Sequence, residues 1–210
     1  MTPRLPIPRR DETLSTRDPS YTARLVATQS ACWKRWLDVQ APYRWNLRRL
    51  NLGFTLDIGC GIGRNLVNLS GYGVGVDHNE DFVKIANDRG LRVFTPEQFG
   101  VTPFNAVHRF ESILLAHVAE HMTEQQVAKL LSDYLDLLKP EGQVILITPQ
   151  EAGYRSDPTH VQFMDFEALR RIARELGLTH VREYSFPFVR FVGRWFRHNE
   201  FVSISKKASK

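Results

Sequence analysis

A doubly wound α/β domain with a mostly parallel sheet is the fold class this sequence predicts, on three observations. Short apolar runs alternate with amphipathic segments along most of the chain, the pattern of strands covered by helices on both faces. One such run, Phe54 to Ile58, breaks into Gly59, Gly61 and Gly63; an amphipathic segment and a second run, Val74 to Val76, follow and end in Asp77. Finally, Val181 to Phe188 and Glu200 to Ser205 are strand-like with a link too short for a crossover helix, so they should pair antiparallel. With 210 residues and 42% hydrophobic content the chain can bury one sizeable core but is short for two, so one domain is expected. Thr123 with Gln126 reads as a capping box opening a helix that runs toward Leu138, and Asp165 as the N-cap of a helix stopped by Gly177.

The glycine turn carries the chemistry. Strand, glycine-rich turn, helix and a second strand with a terminal carboxylate make a cradle for a nucleoside cofactor. Glycines permit backbone conformations and close approach that a Cβ would block, and the Asp77 carboxylate can accept both hydroxyls of a ribose. A dinucleotide site spaces its glycines as GxGxxG so that a helix N-terminus meets a pyrophosphate. Here Asp57, Gly59, Gly61 and Gly63 follow a DxGxGxG pattern, which has no pyrophosphate to hold.

In these residues the chain resembles the class I S-adenosylmethionine-dependent methyltransferases, whose first motif is an acidic residue with alternating glycines and whose second is the acidic end of the next strand. The similarity continues in order through Ser112 to His117, as the fourth strand and its exit, and Leu138-Lys139-Pro140-Glu141-Gly142, as the turn before a fifth strand at Val144 to Thr148. It covers residues 50 to 206. The resemblance implies a Rossmann-like sheet in the order 3-2-1-4-5-7-6, S-adenosylmethionine as cofactor, and a helical lid ahead of the first motif. Residues 1–20 are then expected as a flexible N-terminus, 21–50 as the lid with Trp33, Trp36, Tyr43 and Trp45 in a pocket wall, and 51–210 as the methyltransferase domain. It further implies cofactor contacts from Asp57, Gly59, Gly61, Gly63, Asp77, His78 and Ala116, with Glu97 or Gln98 after the third strand facing the adenine.

The methyl carbon of a sulfonium is already electrophilic, so the acceptor sets what the protein must add. A carbon or amine nucleophile needs orientation, whereas an alcohol must lose its proton to a base or a metal-bound group. His117, Glu120 and His121 follow the fourth strand, at spacings that share one face if the segment is helical, and His160 follows the fifth, on the same carboxyl edge of the sheet. His160 or His117 is the candidate base. The four residues together could instead bind a divalent metal. The pattern is similar to the plant small-RNA 3′-terminal 2′-O-methyltransferases, in which Glu-x-x-Glu-His and a later histidine hold such an ion, but His117 stands where that family has glutamate. Many class I methyltransferases also carry a His-x-x-Glu-His segment that only ties loops together.

Charge and composition narrow the partners. The first twenty residues hold Pro3, Pro6, Pro8 and Pro19 without the apolar stretch of a signal peptide, and no run approaches the roughly 18 apolar residues of a membrane span. A soluble, cytoplasmic protein is expected. Cys32 and Cys60 offer no disulfide framework, and Cys60 reads as a small residue fitting the turn. A net charge of +5 raises nucleic acid as a partner. The basic residues are scattered, however, apart from Arg48 with Arg49 and Arg190, Arg194 and Arg197 interleaved with Phe188, Phe191, Trp195 and Phe196. O-methylation of a small-molecule or glycan hydroxyl is therefore favoured. The alternatives are 2′-O-methylation of a nucleic-acid terminus and a non-catalytic module that binds S-adenosylmethionine.

Overall fold

Seven strands form one sheet in the order β3-β2-β1-β4-β5-β7-β6 in the computed structural model of the protein, which describes residues 41–209. The expected flexible segment 1–20 and the lid residues 21–40, Trp33 and Trp36 among them, lie outside the described residues. In chain order the elements are α1 (Ala41–Arg49), β1 (Thr55–Ile58), α2 (Arg64–Asn68), β2 (Gly73–Val76), α3 (Glu80–Asp88), β3 (Val93–Phe94) and α4 (Pro96–Gly100). They continue as β4 (Phe110–Ala116), α5 (Glu124–Ser132), β5 (Leu138–Pro149), α6 (Glu151–Tyr154), α7 (Phe166–Glu175), β6 (Thr179–Phe186) and β7 (Glu200–Lys206). The strands β1 to β5 pair parallel, and β7 runs antiparallel to both β5 and β6.

Alternation along the central strands divides the core between the two sheet faces. Ile113 and Leu115 of β4, with Val144 and Leu146 of β5, pack with Val127 and Leu131 of α5 and Leu169 and Ile172 of α7. The intervening Leu114, Ala116, Ile145 and Ile147 face the opposite way and pack with Leu47 of α1. Each fully buried aliphatic side chain contributes about 1.5–3 kcal/mol relative to exposure. The capping box at Thr123 and Gln126 is present in full, Asp165 accepts from Ala168 N–H, and Gly177 takes the left-handed φ of 66° after α7.

Several segments differ from the sequence-based expectation, among them α5, which ends at Ser132 short of the expected Leu138. The turn expected at Leu138–Gly142 lies inside β5: Leu138 pairs with Phe110, the register then jumps to Ser112 with Gln143, and Glu141 adopts φ 59°. The ladder resumes because Val144 to Ile147 must keep alternate side chains on the two faces. The last hairpin is shifted, with β6 ending at Phe186 because Pro187 has no N–H to extend the ladder. The His117–His121 segment is not an α-helix. His117 leaves the sheet with φ 59°, and only Ala119–His121 form one 3₁₀ turn.

Candidate functional site

The glycine turn after β1 is bound to the end of β2 by a carboxylate. Gly61 N–H donates to Asp77 Oδ2 at 2.7 Å, and Asn79 N–H to Asp77 Oδ1 at 2.9 Å, so the carboxylate fixes the turn and still has lone pairs on both oxygens. Gly61 has φ 55°, and a Cβ built on it would meet nothing within 4 Å. The glycine is required by its backbone conformation, and the space it leaves is open to the cavity. Gly59 differs, since a Cβ there would lie 2.4 Å from Val118 Cγ2. Cys60 is buried below the turn, and that burial holds its thiol protonated, which suits a space-filling role.

A cavity of about 480 Å³ opens along the carboxyl edge of the sheet, within the usual range for small-ligand sites. Of the sequence candidates, Gly59, Gly61, Asp77, His78, Ala116 and His117 line it, as does His121. Asp57, Gly63, Glu120 and His160 lie outside its lining. Glu97 and Gln98 are also outside it, and both are exposed on α4. Gln98 Oε1 accepts Thr95 N–H at 3.0 Å, closing the helix cap, so the adenine-facing expectation finds no support at that side chain. Tyr43 of the expected lid lines the cavity and donates to His198 O at 2.7 Å, whereas Trp45 is exposed beneath the Arg49 guanidinium.

Glu200 and His198, reached only through the β6–β7 hairpin, also line the cavity and were not expected there. Glu200 Oε1 meets His117 Nε2 at 2.9 Å, and Glu120 Oε1 lies 3.4 Å from His117 Nδ1. Burial opposes charge on the ring, but hydrogen bonds to Glu120 and Glu200 and their charges outweigh it and lift the His117 pKa to about 9. On that value His117 carries its proton at neutral pH, as a clamp between two buried carboxylates.

Two further imidazoles form a separate pair. His160 Nδ1 is 2.6 Å from Tyr154 O, and His121 Nδ1 is 3.2 Å from both Thr159 O and Thr159 Oγ1. A carbonyl oxygen can only accept, so each Nδ1 carries a proton, and the neutral tautomer this selects has its lone pair at Nε2. The rings meet edge to face with centroids 4.9 Å apart.

Asp57 sits 1% exposed beneath the turn, with Oδ2 lacking a hydrogen-bond partner among the described residues. Burial is the main cause that raises its pKa to about 7; Asp77 adds to the shift, while Asn65 and Arg64 oppose it. A carboxyl whose folded pKa exceeds its unfolded value destabilises the fold as pH rises from about 4 to about 7, where the folded state holds the proton that the unfolded state has released. Asp57→Asn should remove that loss, making the ligand-free protein more stable than the parent by a few kcal/mol at pH 8 and nearly unchanged at pH 4. Denaturant midpoints across this range check it, and identical pH slopes for the two proteins would refute it.

Residues 44–183, well over half of the chain, match the profile of a family described as a methyltransferase domain. Among solved structures, a S-adenosylmethionine-dependent methyltransferase from Archaeoglobus fulgidus is 22% identical with TM-score 0.62, the match covering 79% of this chain and 93% of that one. A putative methyltransferase of Haloferax volcanii, solved in complex with the Trm112 methyltransferase activator, is 17% identical with TM-score 0.68, covering 93% and 99%. Magnesium protoporphyrin IX methyltransferase from Synechocystis with bound SAH is 13% identical with TM-score 0.64, covering 92% and 96%. At these identities the likeness shows the fold. No curated protein matches the chain by sequence. Among the described residues no helix is long and apolar enough to cross a membrane. By its profile match, its sheet order and its glycine cradle closed by Asp77, the chain belongs to the methyltransferase-domain family, the class I S-adenosylmethionine-dependent methyltransferases.

Proposed function

We propose that this methyltransferase alkylates a hydroxyl group of a small-molecule or glycan acceptor. The observation that carries the reading is the pair of imidazoles, His121 and His160, whose Nδ1 protons are committed to backbone carbonyls and whose Nε2 lone pairs remain to take a proton. His121 lines the cavity. The cofactor would lie along Gly59, Gly61 and Asp77, with its sulfonium toward the β4 exit, where Ala116 and His117 form the wall. The acceptor O–H loses its proton to this group as the oxygen attacks the methyl carbon. The C–S electron pair passes to sulfur, which leaves as a neutral thioether.

The test is incubation of the full chain with S-adenosylmethionine and a panel of polyols, phenols, glycans, amines and short RNA, read by mass spectrometry for methylated product. A methyl ether on a hydroxyl acceptor, formed together with S-adenosylhomocysteine, is expected. Transfer only to amines would overturn the hydroxyl reading. Transfer to RNA that falls steeply with added salt would favour the nucleic-acid alternative, and tight cofactor binding without any transfer would favour the binding module.

A further inference from the structure

We propose that Glu120, His121 and His160 form a binding site for one divalent transition-metal ion on the acceptor side of the cavity. One ligating atom from each of the three lies within 4.8 Å of those from the other two. The cluster consists of acceptors without a donor. Thr159 Oγ1 gives its proton to Asp157 Oδ1 at 2.7 Å, so His121 Nδ1 must be the donor toward Thr159, which leaves the Nε2 lone pair. His160 reaches the same state through Tyr154 O. Glu120 is 1% exposed, its Oε1 faces the His117 clamp, and its Oε2 has no hydrogen-bond partner among the described residues.

A buried carboxylate oxygen without a donor is costly, and in the Nδ1–H tautomers the two imidazoles beside it offer it lone pairs rather than a donor. A cation satisfies all three at once. Two imidazoles and a carboxylate suit Zn²⁺, Mn²⁺ or Co²⁺ and leave coordination positions open for water or an acceptor oxygen. The surrounding contacts are those of an oriented ligand set, with each ring's Nδ1–H held by a backbone carbonyl. The two chain segments are also joined: Glu120 O accepts from Val161 N–H at 2.7 Å and from Gln162 N–H at 3.2 Å, which ties the β4 exit to the His160 loop.

With both Nε2 lone pairs on the ion the imidazoles would act as ligands instead of as the base, and the ion would supply Lewis acidity, lowering the pKa of a hydroxyl at the cavity edge so that its proton passes to water. In this respect the inference deepens the hydroxyl-acceptor reading and rests on it for its purpose, while the binding site itself stands on the cluster alone.

The test is a calorimetric titration of the chelator-treated full chain with Co²⁺, with the visible spectrum recorded, beside a titration with S-adenosylmethionine. One equivalent of Co²⁺ with a visible band of nitrogen coordination is expected. His160→Ala and His121→Ala should each weaken Co²⁺ binding at least tenfold and lose the band, while His108→Ala, at an exposed histidine outside the cluster, should leave both unchanged. Retained S-adenosylmethionine affinity reports that a variant is folded. No Co²⁺ binding by a parent that binds S-adenosylmethionine overturns the inference, as does Co²⁺ binding that both histidine variants leave unchanged. Co²⁺ binding without S-adenosylmethionine binding would instead count against the proposed reaction and leave the metal site standing.

Discussion

Asp77→Ala should weaken S-adenosylmethionine binding by about 1 to 3 kcal/mol, roughly 5- to 150-fold in Kd. Two effects add. The variant removes the charged acceptor that the ribose hydroxyls would meet, and charge-assisted bonds of this kind are about twice as strong as neutral ones. It also releases Gly61 N–H and Asn79 N–H, which Asp77 holds at 2.7 and 2.9 Å, so the left-handed turn at Gly61 loses its anchor. Asp77→Asn separates the two, because its carbonyl oxygen can keep one backbone bond without the charge. Calorimetry should rank the parent above Asp77→Asn and Asp77→Asn above Asp77→Ala. An unchanged affinity in Asp77→Ala would mean that the ribose lies elsewhere.

Local signals were the legible ones. The glycine turn, Asp77, the Thr123–Gln126 box and the Gly177 stop each depend on residues within a few positions of one another, whereas the strand order came from the family resemblance that the ordered motifs carry. The conformation of the β4 exit stayed open because spacing alone cannot distinguish a helix from a left-handed residue followed by a 3₁₀ turn. His117 takes that conformation because its N–H continues the sheet to Ile147 O at 2.9 Å while its ring turns back to two carboxylates. One of these is Glu200, 83 positions away, and no periodicity brings it to His117 before the hairpin is folded. The tautomers of His121 and His160 were equally hidden, since backbone carbonyls that any residue could supply set them.

His160→Ala should lower turnover by about two to four orders of magnitude at unchanged S-adenosylmethionine affinity. The separation follows from position: His160 lies outside the cavity lining, against His121, while Gly61 and Asp77, the proposed cofactor contacts, line the cavity itself. The ring stacks on Tyr154 with centroids 5.2 Å apart and bonds its carbonyl, so removal also frees that short helix end. Added imidazole distinguishes chemistry from packing. If the lost ring acts through its lone pair, as base or as ligand, exogenous imidazole should restore part of the turnover, whereas a disordered loop would gain nothing from it. Full turnover in His160→Ala, or a fall in S-adenosylmethionine affinity that accounts for the whole loss, would remove His160 from the reaction and leave His121 as the acceptor-side base.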